Sequence, residues 1–153
     1  METLGALSAE QLVVRPAPQL WPIWATAAHM AGARVYWLCA VLREQGAERT
    51  PFTDPSGEGW EDDLNHPRQP NELVFALESS WAIVADCLKR WTPEMLDDEF
   101  LREREGKIQV HTRQSVLMRL ITHDASHAGE ISQTLGMFGF KELDLWTGRA
   151  PTR

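Results

Sequence analysis

Leu117-Met118-Arg119-Leu120-Ile121-Thr122-His123-Asp124-Ala125-Ser126-His127-Ala128-Gly129-Glu130-Ile131 is the stretch on which the reading of this chain turns. Leu117, Ile121, Asp124, Ala128, Ile131, Leu135 and Phe138 recur every three or four residues, the period of an amphipathic helix and not of a strand. The helix is expected to start after Thr112 and to run to about Phe138, with Gly136 and Gly139 at its fraying end. Asp124 interrupts the stripe, where an apolar residue is expected. His123 and His127 stand four residues apart, so their imidazoles project within about 40° of each other. Glu130 lies only about 20° from the direction of His123. Val116 and Leu120 continue that face, so the polar quartet borders the apolar stripe.

Four ionisable groups at the edge of a core need a compensating interaction, and a divalent metal is the simplest one. Neutral imidazoles at i and i+4 can hold one ion, at about 2.0–2.1 Å for zinc. A stable site needs a third ligand from another helix, and His29 is the best candidate. Its helical neighbours Ala25, Gly32 and Ala33 are small, so a second helix or a ligand can approach, and Tyr36 extends the same face. Three neutral ligands leave the ion its full charge and an open position, as in catalytic sites. Blander readings stand beside this one: a capped surface pair for His123 and His127, and a hydrogen-bonded core residue for His29. Asp124 is an acceptor orienting a histidine ring or a base. Glu130 is a weak fourth ligand, a hydrogen-bond partner or a surface charge. His66, before Pro67, reads as exposed, and His111 lies about 120° around the helix from His123, outside the cluster.

Outward from this helix, a capping box Ser8-Ala9-Glu10-Gln11 marks a short helix, broken at Arg15-Pro16-Ala17-Pro18. A second helix is expected from Pro22 to Gln45, with Trp24, Ala28, Ala31, Val35, Leu38 and Leu42 as its stripe and Gly46 as its stop. Residues 46–70 form a long acidic, Pro- and Gly-containing break around Trp60, a solvated loop or a lid. A third helix follows from about Pro70 to Trp91, with Val74, Leu77, Trp81, Val84, Leu88 and Trp91 in near-heptad spacing. A short helix is expected from Pro93 to Asp98. Phe100 to His111 reads as irregular with a turn at Gly106, and Val13-Val14 and Ile108-Gln109-Val110 as too short for a sheet. The fold class is therefore all-α, a single domain over 1–153.

The chain has 153 residues, 43% hydrophobic, enough for a real core, which rules out disorder as the overall state. Its formal net charge of −7 disfavours nucleic acid as a partner. No apolar run approaches a membrane span, and the start lacks a signal-peptide pattern, so a cytoplasmic location is expected. Cys39 and Cys87, far apart and without a CxxC, read as reduced thiols. Seven Trp against one Tyr suggest indoles lining a cavity or interface as well as a core.

The chain resembles the DinB-like superfamily. The resemblance is carried by Leu7-Ser8-Ala9-Glu10-Gln11-Leu12, Arg15-Pro16-Ala17-Pro18, His29 followed by Arg34-Val35-Tyr36-Trp37-Leu38, and above all His123-Asp124-Ala125-Ser126-His127-Ala128-Gly129-Glu130-Ile131. It implies an up-down four-helix bundle and a three-His divalent metal site, matched here by His29, His123 and His127, with zinc or nickel the leading ions. It also implies a homodimer, and relatives that are low-molecular-weight-thiol transferases, isomerases or metal-dependent hydrolases. Only seven residues precede Ser8 where the family has a long helix, so the first bundle helix is expected to be shortened, with Leu4 and Leu7 its remnant. A dimer partner is expected to cover the groove this leaves.

Three functions follow. The first is a metal-dependent transferase joining a low-molecular-weight thiol to a small apolar electrophile, with Asp124 and Glu130 as catalytic candidates and Arg34, Tyr36 and Trp37 as substrate-binding ones. Arg34, Arg113 and Arg119 are candidates for the thiol's carboxylate, or solvated surface residues. The second is hydrolysis by metal-activated water. The third is a non-catalytic, stress-related binding protein with a structural or vestigial His cluster.

Overall fold

The structure is a computed structural model that describes residues 2–144. Two single-turn helices, α1 (Glu2–Gly5) and α2 (Ala9–Leu12), open the chain. The Ser8 capping box forms as the sequence predicts: Gln11 N–H donates to Ser8 Oγ at 3.2 Å, and Ser8 N–H to Gln11 Oε1 at 2.8 Å. Leu4 and Leu7 are buried, and α1 rests on the long helix α4 (Pro70–Arg90).

The central element is α3 (Ile23–Val35). It is apolar on nearly every side, and Ala25, Ala27, Ala28 and Ala31 are fully buried. These small side chains let α4 pack on one flank and α5 (Arg113–Met137) on the other. Gly32 gives the room on which the ring of Phe52 lies. The expected Pro22–Gln45 helix does not stay α-helical: from Tyr36 to Val41 it widens into a π-helix. It stops at Arg43, in the left-handed region at φ 60°, before Gly46 at φ 124°. Thr112 caps α5, its Oγ1 accepting from Ser115 N–H at 3.1 Å.

Two expectations on the helical stripes are corrected. On α4 the buried positions are Leu73, Ala76, Leu77, Ser80, Ile83, Val84 and Cys87, while Trp81 is 50% and Leu88 52% exposed. The stripe is thus turned by about one residue from the Val74–Trp91 series. On α5 Val116 and Leu120 are buried while Ile121 is 62% exposed. The face carrying the histidines is therefore the inward face itself, and not its border.

The segment read as irregular is a β-hairpin, β1 (Glu99–Arg104) antiparallel to β2 (Lys107–Thr112), with Phe100 opposite His111 and Arg102 opposite Gln109. Its two turn residues, Glu105 at φ 53° and Gly106 at φ 71°, give the doubly left-handed turn that matches strand twist. Residues 94–97, expected as a short helix, make one 3₁₀ turn. The all-α four-helix expectation thus becomes a mostly helical fold of three long helices with a small two-stranded sheet. No helix among the described residues is long and apolar enough to cross a membrane.

Candidate metal centre

α3 and α5 run antiparallel, with His29 against His127 and Glu44, just beyond the end of α3, against Arg113 at the start of α5. Between them Arg34 meets Asp124 and His29 meets His123. His29, His123 and His127 each offer one ring nitrogen within 4.8 Å of the others, a group able to hold a metal ion. The rings of His29 lie 4.8 Å from His123 and 5.1 Å from His127, and those of His123 and His127 are 4.4 Å apart. All three are partly buried.

The opposite ring nitrogens face carboxylates. His29 Nδ1 donates to Glu61 Oε1 at 2.6 Å, and His127 Nδ1 to Glu130 Oε2 at 2.6 Å. His123 Nδ1 lies 3.8 Å from Asp124 Oδ1. Nδ1–H donation fixes the tautomer, so His29 and His127 turn bare Nε2 lone pairs to the centre. His29 Nε2 and His123 Nε2 stand 3.0 Å apart. Two zinc–nitrogen bonds at a tetrahedral angle would place their nitrogens about 3.3 Å apart, close to this spacing.

A second observation tests the fit. His123 Nδ1, Asp124 Oδ1 and Glu61 Oε2 are buried with no hydrogen-bond partner. A proton on His123 Nε2 would relieve its contact with His29, but would leave His123 Nδ1 a bare acceptor facing a carboxylate. A cation between the Nε2 atoms removes both conflicts, because the His123 proton then sits on Nδ1, toward Asp124. The donor set suits zinc, nickel, iron or manganese.

The carboxylates are therefore placed as ring-orienting groups. Asp124 is held in turn by Arg34, whose Nε and Nη2 reach Asp124 Oδ2 at 2.9 and 2.8 Å. Arg34 is buried and also donates to the Leu77 carbonyl at 3.2 Å and Ser80 Oγ at 3.4 Å. Tyr36 Oη accepts from Arg102 Nε at 2.6 Å, and Trp37 is buried beneath the hairpin. Neither touches the three histidines. Arg113, weighed as a solvated residue or an anion binder, is instead buried against Glu44 and Asp98.

Glu61 is the functional residue that the sequence reading missed. It comes from the 46–70 loop, whose 3₁₀ turn Trp60–Asp62 packs on α3. Trp60 lies against Phe52, 5.1 Å between rings, with the Arg68 guanidinium 4.4 Å above it. Gly59 makes room for the Glu61 carboxylate: a Cβ there would stand 2.6 Å from Glu61 Cδ. The only hint was the acidic run around Trp60. His66 lies on the surface, 74% exposed, as expected.

Beside the centre is a cavity of about 630 Å³, lined mainly by Leu20, Trp21, Ile23, Ile131 and Met137, with His127 and Glu130 at its edge. Trp21 is the one indole among the described residues that touches the centre, its ring 4.9 Å from His29. The expected indole lining is thus corrected: Trp24 fills the core, Trp60 holds the loop, and Trp91 donates to Glu44 at 2.9 Å. Trp146 lies outside the described residues. Burial raises the thiol of Cys39 to about 11 and that of Cys87 to about 12, so neither is a thiolate at neutral pH.

Comparison with known proteins agrees with this geometry. A family model for the DinB superfamily matches residues 1–131. The chain belongs to the DinB superfamily. A crystal structure of a DinB-like protein from Bacillus cereus ATCC 10987 has the same fold, with a TM-score of 0.64 at 20% identity. The match covers 95% of this chain and 87% of that one. No match was found among curated proteins. Within the DinB superfamily, then, this chain keeps the His29, His123 and His127 set that the sequence resemblance implied.

Proposed function

We propose that this DinB-superfamily protein is a divalent-metal-dependent transferase that joins a low-molecular-weight thiol to a small apolar electrophile. The observation that carries the reading is the convergence of three imidazoles beside an apolar cavity, with His127 at its edge. His29, His123 and His127 would hold the ion through Nε2. When bound, it would supply a positive charge that favours thiolate over thiol. Glu61 and Glu130 accept from Nδ1 of His29 and His127 and keep those rings turned, and Asp124 faces Nδ1 of His123. Trp21, Leu20, Ile131 and Met137 exclude water from the electrophile and hold its apolar body. In the transfer the thiol gives its proton to solvent water, sulfur bonds to the electrophilic carbon, and the leaving group departs with the bonding pair.

The test is metal analysis of untagged protein, then consumption of a monochlorobimane-type electrophile with and without added thiol. Thiol-dependent loss of the probe supports transfer. Turnover of an ester or amide without thiol supports the hydrolase reading instead. Absence of stoichiometric metal, with none taken up on adding zinc or nickel, supports a non-catalytic binding protein.

The proposal extends to assembly and location. Phe75, Trp81 and Leu88 on α4 and Met118 and Ile121 on α5 are all at least half exposed. A second copy of the chain is the partner proposed for these faces, in the cytoplasm and without nucleic acid. Sedimentation as a monomer across micromolar concentrations would refute the dimer.

A further inference from the structure

Apart from Phe100, which packs on the core opposite His111, the hairpin is patterned inside out. Its outward residues Leu101, Ile108 and Val110 are 63%, 63% and 54% exposed, while Arg102, Gln109 and His111 turn inward and are half-buried. Stability alone favours the reverse, with apolar residues on the inner face. The inward polar residues close over Trp37. The Arg102 guanidinium lies 5.1 Å from the Trp37 ring and the Arg119 guanidinium 4.4 Å. The His111 ring meets Trp37 edge-on at 5.0 Å.

This cluster lacks counter-charge. Arg34, Arg90 and Arg113 each meet a carboxylate. Arg102 is held by Tyr36 Oη and by Gln109 Oε1 at 3.0 Å, both neutral, and Arg119 is only stacked. Among the described residues neither is ion-paired, in a chain with a net charge of −7. Burial, then the charges of Arg119 and Arg102, lower the pKa of His111, a sign of how closely positive groups crowd there. Two guanidiniums fixed on an aromatic platform, with spare donors and no carboxylate paired to them among the described residues, match the way carboxylates and phosphates are recognised.

The place in the fold says which part of a ligand would lie there. Arg119 precedes His123 by one turn of α5, about 6 Å along the axis and on the same face. The apolar cavity lies on the other side of the three-His centre, beyond His127. We propose that Arg102, Arg119 and His111, laid on Trp37, form an anion subsite for the carboxylate or phosphate of a small molecule whose other end reaches the three-His centre. The last clause rests on the function proposed above, and the anion subsite itself does not.

The test is nitrogen-15 NMR of the full chain, following the Trp37 indole and the Arg102 and Arg119 side-chain N–H groups. Sodium benzoate and inorganic phosphate are titrated separately against chloride at equal ionic strength. A saturable shift with either anion is the expected result, and which one saturates names the source. Arg119→Gln, which removes only an exposed, stacked side chain, should weaken that binding about tenfold, the loss of one charge-assisted hydrogen bond. His127→Ala should lose metal binding but keep the anion shift, so the two readings fail separately. The subsite is overturned by shifts that merely track chloride, or by binding unchanged in both Arg119→Gln and Arg102→Gln.

Discussion

Two polar clusters are built around α5, one at its N-terminal end and one near its middle, and they differ in what neutralises them. Near its N-terminus, Arg113 lies over the rings of Trp91 and Phe100, 5.4 and 4.9 Å away. It donates to the Met95 carbonyl at 3.1 Å and to Asp98 at 2.5 Å, and sits 3.5 Å from Glu44. Glu44 also accepts from Arg90 at 2.8 Å and from the Trp91 indole at 2.9 Å. This cluster locks the end of the π-helix, the end of α4 and the start of α5 together, and its charges cancel. In this cluster Arg113 Nε makes no hydrogen bond but has the Glu44 carboxylate 3.5 Å away. Nearly three turns on, by contrast, the three-His centre keeps His123 Nδ1, Asp124 Oδ1 and Glu61 Oε2 without hydrogen-bond partners and aims lone pairs at one point. A closed network holds a fold, and an open one awaits a ligand.

The comparison breaks most sharply at His127. His127→Ala, like His29→Ala, should abolish divalent-metal binding by calorimetry and leave the melting curve of the metal-free protein nearly unmoved, whereas His66→Ala should bind as the parent does. Glu44→Ala should do the opposite. It leaves Arg113 buried without a full partner set and should cost about 3 kcal/mol by chemical denaturation, with metal affinity intact. If the two substitutions trade effects, the distinction is wrong.

A smaller effect belongs to the carboxylate behind His29. Glu61→Gln should weaken metal binding about 10- to 100-fold. Gly59→Ala, which pushes a methyl into the same carboxylate, should act in the same direction. The locked cluster also has an acid signature. Burial alone would raise the Glu44 carboxyl, but the hydrogen bonds from Arg90 and Trp91 and the charges of Arg90 and Arg113 outweigh it and hold it below the ordinary 4.5. The folded state therefore favours the ionised form. That stability is complete above about pH 5 and is lost as pH falls through the depressed value. Glu44→Gln should flatten this acid limb. The smallest effect is expected at Arg43, exposed at φ 60°, where glycine should gain up to about 1 kcal/mol by relieving the left-handed backbone.

How much of this was legible follows from the range of each signal. The His123–His127 pair, the capping box at Ser8 and the start of α5 after Thr112 are local, fixed by helical spacing or short patterns, and the sequence carries them openly. His29 could be matched because small neighbours and the family resemblance both pointed to it. Glu61 could not, because a loop has no period and its contact with His29 depends on how Trp60 seats on Phe52. The hairpin was hidden by its inverted alternation and by Glu-Gly in place of the usual Asn-Gly or Asp-Gly turn. The phase of α4 was misjudged because Trp81 and Trp91 were counted as core, when Trp81 is half exposed against the Arg34 guanidinium and Trp91 reaches the Glu44 carboxylate. The π-helix has no sequence period of its own, and it appears only once the end of α3 is packed.

The Glu61–His29 contact spans 32 residues of chain. An ion held by His29 would make that contact part of a detachable crosslink, closing a loop that contains Pro55, Gly57 and Gly59. Such a closure lowers the entropy of the open loop as a disulfide does, but it can be undone by a chelator. Protease cutting at residues 53–59 should then be slow in metal-loaded protein and quicken on chelation, so the lifetime of this loop would report how much metal the cell supplies.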